Sequence, residues 1–124
     1  MKKIQIKRIY DDVSAMDEKH NNTYRILVDR LWPRGISKEI ARLDEWNKDI
    51  APSTELREWF GHKEERFEEF TKRYKNELSK HDDELKRISN ITKQKNLLLL
   101  YGAKNENYNQ AIVLQQALKE LQSY

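Results

Sequence analysis

The chain of 124 residues has no cysteine, three glycines and two prolines. Without cysteine there is no disulfide framework, no thiolate nucleophile, no Cys-ligated zinc and no iron–sulfur cluster. Three isolated glycines build neither a P-loop nor a Gly-x-Gly-x-x-Gly turn, and no Gly-x-Ser-x-Gly elbow is present. So little glycine and proline also excludes a collagen, a Gly-rich linker and a loop-rich all-β design. His20, His62 and His81 are scattered, with no His-x-x-x-His, so no metal site is read. Long apolar runs are missing too. The longest, Leu97-Leu98-Leu99-Leu100-Tyr101, falls far short of the ~18 residues of a membrane span. The first residues, Met1 to Lys7, alternate charge with single apolars and carry no signal-peptide core. The expectation is a soluble protein in the cytoplasm.

What is present is charge and aromaticity together. Charged residues make up 36% of the chain, beside three Trp, six Tyr and three Phe. Disordered chains are poor in aromatics, so a folded core is expected. The charge is unevenly spread. Residues 1–42 hold ten Lys/Arg against six Asp/Glu, residues 43–93 eleven against thirteen, and residues 94–124 three against two. A basic first third beside an acidic middle admits an anionic partner, although surface solubility explains the same pattern.

Ile4 and Ile6, with Tyr10 as a possible continuation, alternate with polar residues in the manner of a strand with one wet face. Asp11 to Asn22 is polar and reads as a loop. Thr23 to Asp29 is β-branched and aromatic around an Ile26-Leu27-Val28 centre, which suits a strand buried on both faces. Ser37 caps a short helix through Ala41, and Leu43 to Trp46 is extended. Ser53 caps a helix with Leu56, Trp59 and Phe60 on one stripe, ended by Gly61. Glu64 to Ser79 is a helix with Phe67, Phe70, Tyr74 and Leu78 on one face, a stripe read as core. Asp82 caps another, with Leu85, Ile88 and Ile91 inward. Asn96 to Tyr101 is a buried strand. Asn107, with Gln110 three residues on, forms a capping box for a last helix. The fold predicted is α/β: a small, mostly parallel sheet of three to four strands packed with helices, in a single compact domain.

Two loops carry the functional expectation. Asp29-Arg30-Leu31-Trp32-Pro33-Arg34-Gly35 leaves one buried strand, and Tyr101-Gly102-Ala103-Lys104-Asn105 leaves the other. In open α/β sheets ligands bind beyond the carboxyl ends of strands. Arg30 and Arg34 can grip a phosphate or carboxylate, helped by free N–H groups at Ser37, while Lys104 adds charge beside the Asn107 helix start. This convergence requires the two strands to be parallel neighbours. Arg57 and His62 bracket Trp59-Phe60-Gly61, and a histidine there can act as acid or base. Structural readings stand beside these. Trp32 packs, Arg30 pairs with Asp29 or Asp49, Lys104 is an ordinary surface lysine, and His62 is a polar residue at a helix end.

Lys7-Arg8-Ile9-Tyr10-Asp11, Tyr24 to Gly35 with its Asp-Arg-Leu-Trp-Pro-Arg-Gly string, Ala51-Pro52-Ser53, Leu56-Arg57-Glu58-Trp59-Phe60-Gly61-His62, Arg66-Phe67, Arg73-Tyr74, Leu100-Tyr101 and Asn109 together resemble the YeaO-like family, a small bacterial domain of unknown function. The resemblance runs over nearly the whole chain. It implies one domain over residues 1–124, a compact cytoplasmic α/β protein, and no established activity, cofactor or partner. It also selects Arg8, Asp29, Arg30, Trp32, Arg34, Arg57, Trp59 and His62 as recurring polar and aromatic positions. Around the last loop the chain departs: Tyr108 stands where the family commonly has His, and Gly102 where it has a small Ala or Ser.

The expected site is therefore one for a small phosphate- or carboxylate-bearing ligand. Arg8, Arg30, Trp32, Arg34, Ser37, Arg57, Lys104 and Asn109 are its candidate binding residues. Asp29 and His62 are candidate acid/base groups, should the protein be an enzyme. No metal and no cofactor are called for, and the oligomeric state is open. The rivals are nucleic-acid binding through the basic first third and a non-catalytic interaction or regulatory module.

Overall fold

The computed structural model describes residues 2–14 and 22–122. Four strands form one parallel sheet in the order β1-β4-β2-β3, where β1 is Ile4–Arg8, β2 Thr23–Leu27, β3 Glu45–Trp46 and β4 Asn96–Tyr101. β4 lies between β1 and β2, with Ile4 opposite Leu97 on one side and Tyr24 opposite Leu97 on the other. Among the described strands the last in sequence thus stands between the first two and hydrogen-bonds to both. The two strands that carry the functional loops are parallel neighbours, as the convergence required.

Helices cover both faces of the sheet, which is why β4 reads as an unbroken apolar run. Its alternation decides which residue meets which layer. Leu97, Leu99 and Tyr101 join Ile26 and Val28 under α3 (Thr54–Phe60), α4 (Phe67–Leu78), α5 (Asp82–Ile91) and α6 (Gln110–Gln122). Leu98, Leu100 and Leu27 face α1 (Ile9–Ser14) and α2 (Lys38–Ala41) through Ile9, Ile36 and Ala41. Each such leucine buried contributes about 1.5–3 kcal/mol. Among the described residues no helix is long and apolar enough to cross a membrane.

Several boundaries differ from the sequence expectation. The segment expected as a loop from Asp11 begins inside α1, which takes in Tyr10 as well; residues 15–21 lie outside the described ones. The reason is a buried ion pair. Asp12, 1% exposed, accepts from Arg25 Nη1 at 3.2 Å and Nη2 at 2.5 Å, and Arg25 is 4% exposed. Ile9 and Asp12, three residues apart, share the face of α1 that meets the sheet. Arg25 also donates to the carbonyls of Ala41 and Arg42, so one guanidinium ties β2, α1 and the end of α2 together. The helix expected from Glu64 opens as a 3-10 turn, Glu64–Arg66, before α4 and closes as another, Ser79–His81. Asp82 is the first residue of α5 and not its cap. The last helix starts at Gln110, and its cap is Asn109, whose Oδ1 accepts from Ile112 N at 3.2 Å. Asn107 instead lies in a turn made by Asn105, whose Oδ1 accepts from the N–H groups of Asn107 and Tyr108. Ser37 and Ser53 do cap their helices, with Gly61 closing α3 at φ 52°.

Candidate binding cleft

A partly enclosed cleft of about 230 Å³ lies at the carboxyl ends of β1, β2 and β4. The loop leaving β2 supplies one wall, from Asp29 to Pro33, and the loop leaving β4 supplies Gly102 and Ala103. Tyr10 enters from α1, Arg57 and Phe60 from α3, Phe70 from α4 and Gln110 from the start of α6. Five expected site residues therefore meet in one place: Asp29, Arg30, Trp32, Arg57 and His62.

Asp29 is the chemical centre of the cleft. Its Oδ2 accepts from the Gly102 N–H at 2.8 Å, and its Oδ1 accepts from the Gln110 side-chain amide. Burial pushes its pKa up to about 6, against the opposing pull of those two donors and of the Arg57 charge. Desolvation outweighs both hydrogen bonds, and the result is a carboxylate that titrates close to neutrality. Gly102 makes this approach easy: a Cβ there would lie 3.0 Å from Asp29 Oδ2, so an Ala or Ser in its place would require the carboxylate to give by a few tenths of an ångström.

The cationic groups differ in how committed they are. Arg30 pairs with neither Asp29 nor Asp49. Its Nε donates to the Pro52 carbonyl at 2.9 Å and its Nη2 leans on that of Ala51 at 3.4 Å. Arg57 is exposed at the rim, and among the described residues no hydrogen bond or ion pair engages its guanidinium. His62 sits beside it with φ 59°, directly after Gly61, so two successive residues are left-handed. Such a backbone costs a non-glycine residue free energy and recurs at functional sites, although histidine tolerates it better than most. Trp32 is held by Nε1 donating to the Ile36 carbonyl at 2.6 Å and by an edge-on contact to Trp46, so it forms a fixed wall.

The other candidates stand outside the cleft lining. Arg34 is exposed, and its carbonyl receives the Tyr10 hydroxyl at 2.8 Å. Ser37 spends its side chain on the cap of the four-residue α2. Lys104 is exposed beyond the rim. Asn109 is fully buried and serves as the α6 cap. Arg8 stacks over Tyr10 and donates to the Ala103 carbonyl at 3.1 Å, which holds the β4 loop in place from behind. Tyr108 packs edge-on against Phe67. Gln110 was legible only as part of a capping pattern; its link to Asp29 spans 81 positions and left no local signal. Among the described residues no group of three or more His, Asp or Glu is arranged to hold a metal ion.

Residues 3–123 match the family described as "Inactive DUF488-N3 subclade". The chain belongs to that family. It is 48% identical to the uncharacterised protein YeaO of Escherichia coli (strain K12) over 118 residues, which cover 95% of this chain and 98% of YeaO. It is also 47% identical over 76 residues to the uncharacterised protein Rv3073c of Mycobacterium tuberculosis (strain ATCC 25618 / H37Rv), covering 61% of this chain and 60% of that one. No solved structure matches the chain.

Proposed function

We propose that this chain is a cytoplasmic binding protein whose cleft takes a small phosphate- or carboxylate-bearing ligand. The observation that carries this reading is Arg57, a guanidinium left without a hydrogen-bond partner among the described residues at the mouth of an aromatic-walled cleft, with Arg30 and His62 beside it. Guanidinium groups bind carboxylate and phosphate in bidentate geometry, and such bonds strengthen where water is partly excluded. The family description, with its word "inactive", favours binding over turnover. Asp29 retains the protonation behaviour of a general base, so an acid/base role is the catalytic form of the same reading. The nucleic-acid alternative draws less support, because Arg8 and Arg25 of the basic first third are spent on internal contacts.

Titration calorimetry with inorganic phosphate, sulfate and benzoate tests the proposal. Arg57→Ala is expected to lower affinity about tenfold or more, the worth of a charge-assisted bond. Arg34→Ala, outside the cleft, is expected to leave it unchanged. The proposal fails if none of the anions binds, or if binding survives Arg57→Ala intact.

A further inference from the structure

An anion-binding cleft has no evident use for a carboxylate at its floor, yet Asp29 is there, with two protein donors oriented onto it. A carboxylate accepts about four hydrogen bonds, so these two donors leave part of its capacity unused in a residue that lines the cavity. A simple phosphate or carboxylate placed against Asp29 meets like-charge repulsion. Arg57 and His62 are exposed at the mouth, and the same lining carries Trp32, Pro33, Phe60 and Phe70 as an apolar and aromatic surface. At the ~30 Å³ that a water molecule occupies, the 230 Å³ cleft has room for roughly eight heavy atoms, a ring and its inner substituent, so that the acidic group of a substituted benzoate stands at the open mouth.

We infer that the ligand is bipolar: a small ring-bearing acid whose far edge presents an N–H, ammonium or hydroxyl donor to Asp29 while its acidic group meets Arg57 and His62. This rests on the anion-binding reading and adds the second pole. The donor end supplies what the Asp29 carboxylate lacks, and the ring fills the aromatic middle. A rigid spacer between the poles keeps the ordering cost on binding low. Gly102 lets its N–H reach the carboxylate without displacing it, since a Cβ there would already lie 3.0 Å from Asp29 Oδ2.

The two readings predict opposite pH responses. A bipolar ligand needs ionised Asp29, so its affinity falls as pH drops through about 6. A simple anion is repelled by ionised Asp29, so its affinity rises over the same interval. Other charged or titratable groups around Asp29 are Arg57 on α3, Arg30 on its own loop, Tyr10 on α1, Tyr74 on α4 and His62 after α3. Asp29→Asn keeps every one of these groups and removes only the Asp29 charge, so it is the reference for the pH comparison.

The experiment is calorimetry on the full chain with 4-methylbenzoate, 4-hydroxybenzoate and 4-(aminomethyl)benzoate, from about pH 7.5 to about pH 5, across the interval where Asp29 titrates. The para-donor acids are expected to bind about tenfold or more tighter than 4-methylbenzoate at the upper pH, and to lose that advantage at the lower. Asp29→Asn is expected to abolish the preference for the ammonium compound while weak benzoate binding persists. Differential scanning of each variant confirms that it is folded. Equal binding of all three acids, tightening as pH falls, overturns the bipolar ligand and leaves the anion site standing. Binding of none of them overturns both.

Discussion

Removing Asp12 gives the sharpest test of how the smaller helical layer is held. In Asp12→Ala the Arg25 guanidinium stays in place, 4% exposed, but loses both bonds to the carboxylate. Breaking a buried pair by deleting one partner costs about 3–5 kcal/mol, because an uncompensated charge remains. Here Arg25 keeps the carbonyls of Ala41 and Arg42, at 2.8 and 2.9 Å, so the lower end, about 3 kcal/mol, is expected. For a chain of this length that corresponds to a fall of about 10 °C in Tm. Urea unfolding followed by circular dichroism measures it directly. The double variant Asp12→Leu with Arg25→Met removes both charges and is expected to recover most of the loss. A single variant within about 1 kcal/mol of the parent would refute the reasoning, showing that water reaches Arg25 when Asp12 is gone.

Three further outcomes follow from named contacts. Asp29 has a folded pKa of about 6, raised above the unfolded value of 3.8, so protonation favours the native state. Its favourable contribution is fully present below the unfolded pKa and is lost as pH rises through 6. Relative to wild type, Asp29→Asn should therefore gain about 1–2 kcal/mol between pH 5 and 7.5, read from paired urea curves; a pH-independent difference would contradict the assignment. Tyr74→Phe leaves the buried Ile50 carbonyl without its 2.5 Å donor and should cost about 1–3 kcal/mol by the same measurement. Ser53→Ala removes the cap on the Leu56 N–H and the 2.6 Å bond to Glu77, so a loss of about 1–2 kcal/mol is expected, with Ser53→Thr recovering part of it in thermal melts.

The parts of the fold legible in the sequence were those whose cause is local. Leu97 to Tyr101 announces a strand covered on both faces, because no wet face interrupts it. Ser53 and Gly61 bracket α3 because capping chemistry acts within a few residues. α1 was hidden because its reason for existing is Arg25, thirteen positions away and on a strand. Asn105, Asn107 and Asn109 are all competent caps, and which one starts α6 is decided by packing rather than by residue type. The site divides the same way. The strand ends located the cleft, since Asp29 and Gly102 follow buried strands that prove to be neighbours. Position after a strand does not fix direction, however. Within one turn Trp32 lines the cleft while Arg34 points to solvent, and Asn109 is drawn into its own helix cap.

The placement of β4 has a bearing on how the chain is made. During synthesis β1 and β2 emerge long before residues 96–101, and neither has a sheet partner toward the other until β4 inserts between them. Among the described strands, the two-residue β3 alone can pair with β2 in the interval. The nascent chain must therefore carry Ile26, Leu27 and Val28 without the strand that covers their edge, a period in which unpaired strands invite wrong association. Closure of contacts some 93 residues apart also places this fold among the slower folders of its size. Chains released before residue 96 should accumulate as aggregates, and the leucine strand is in this sense the keystone, set last.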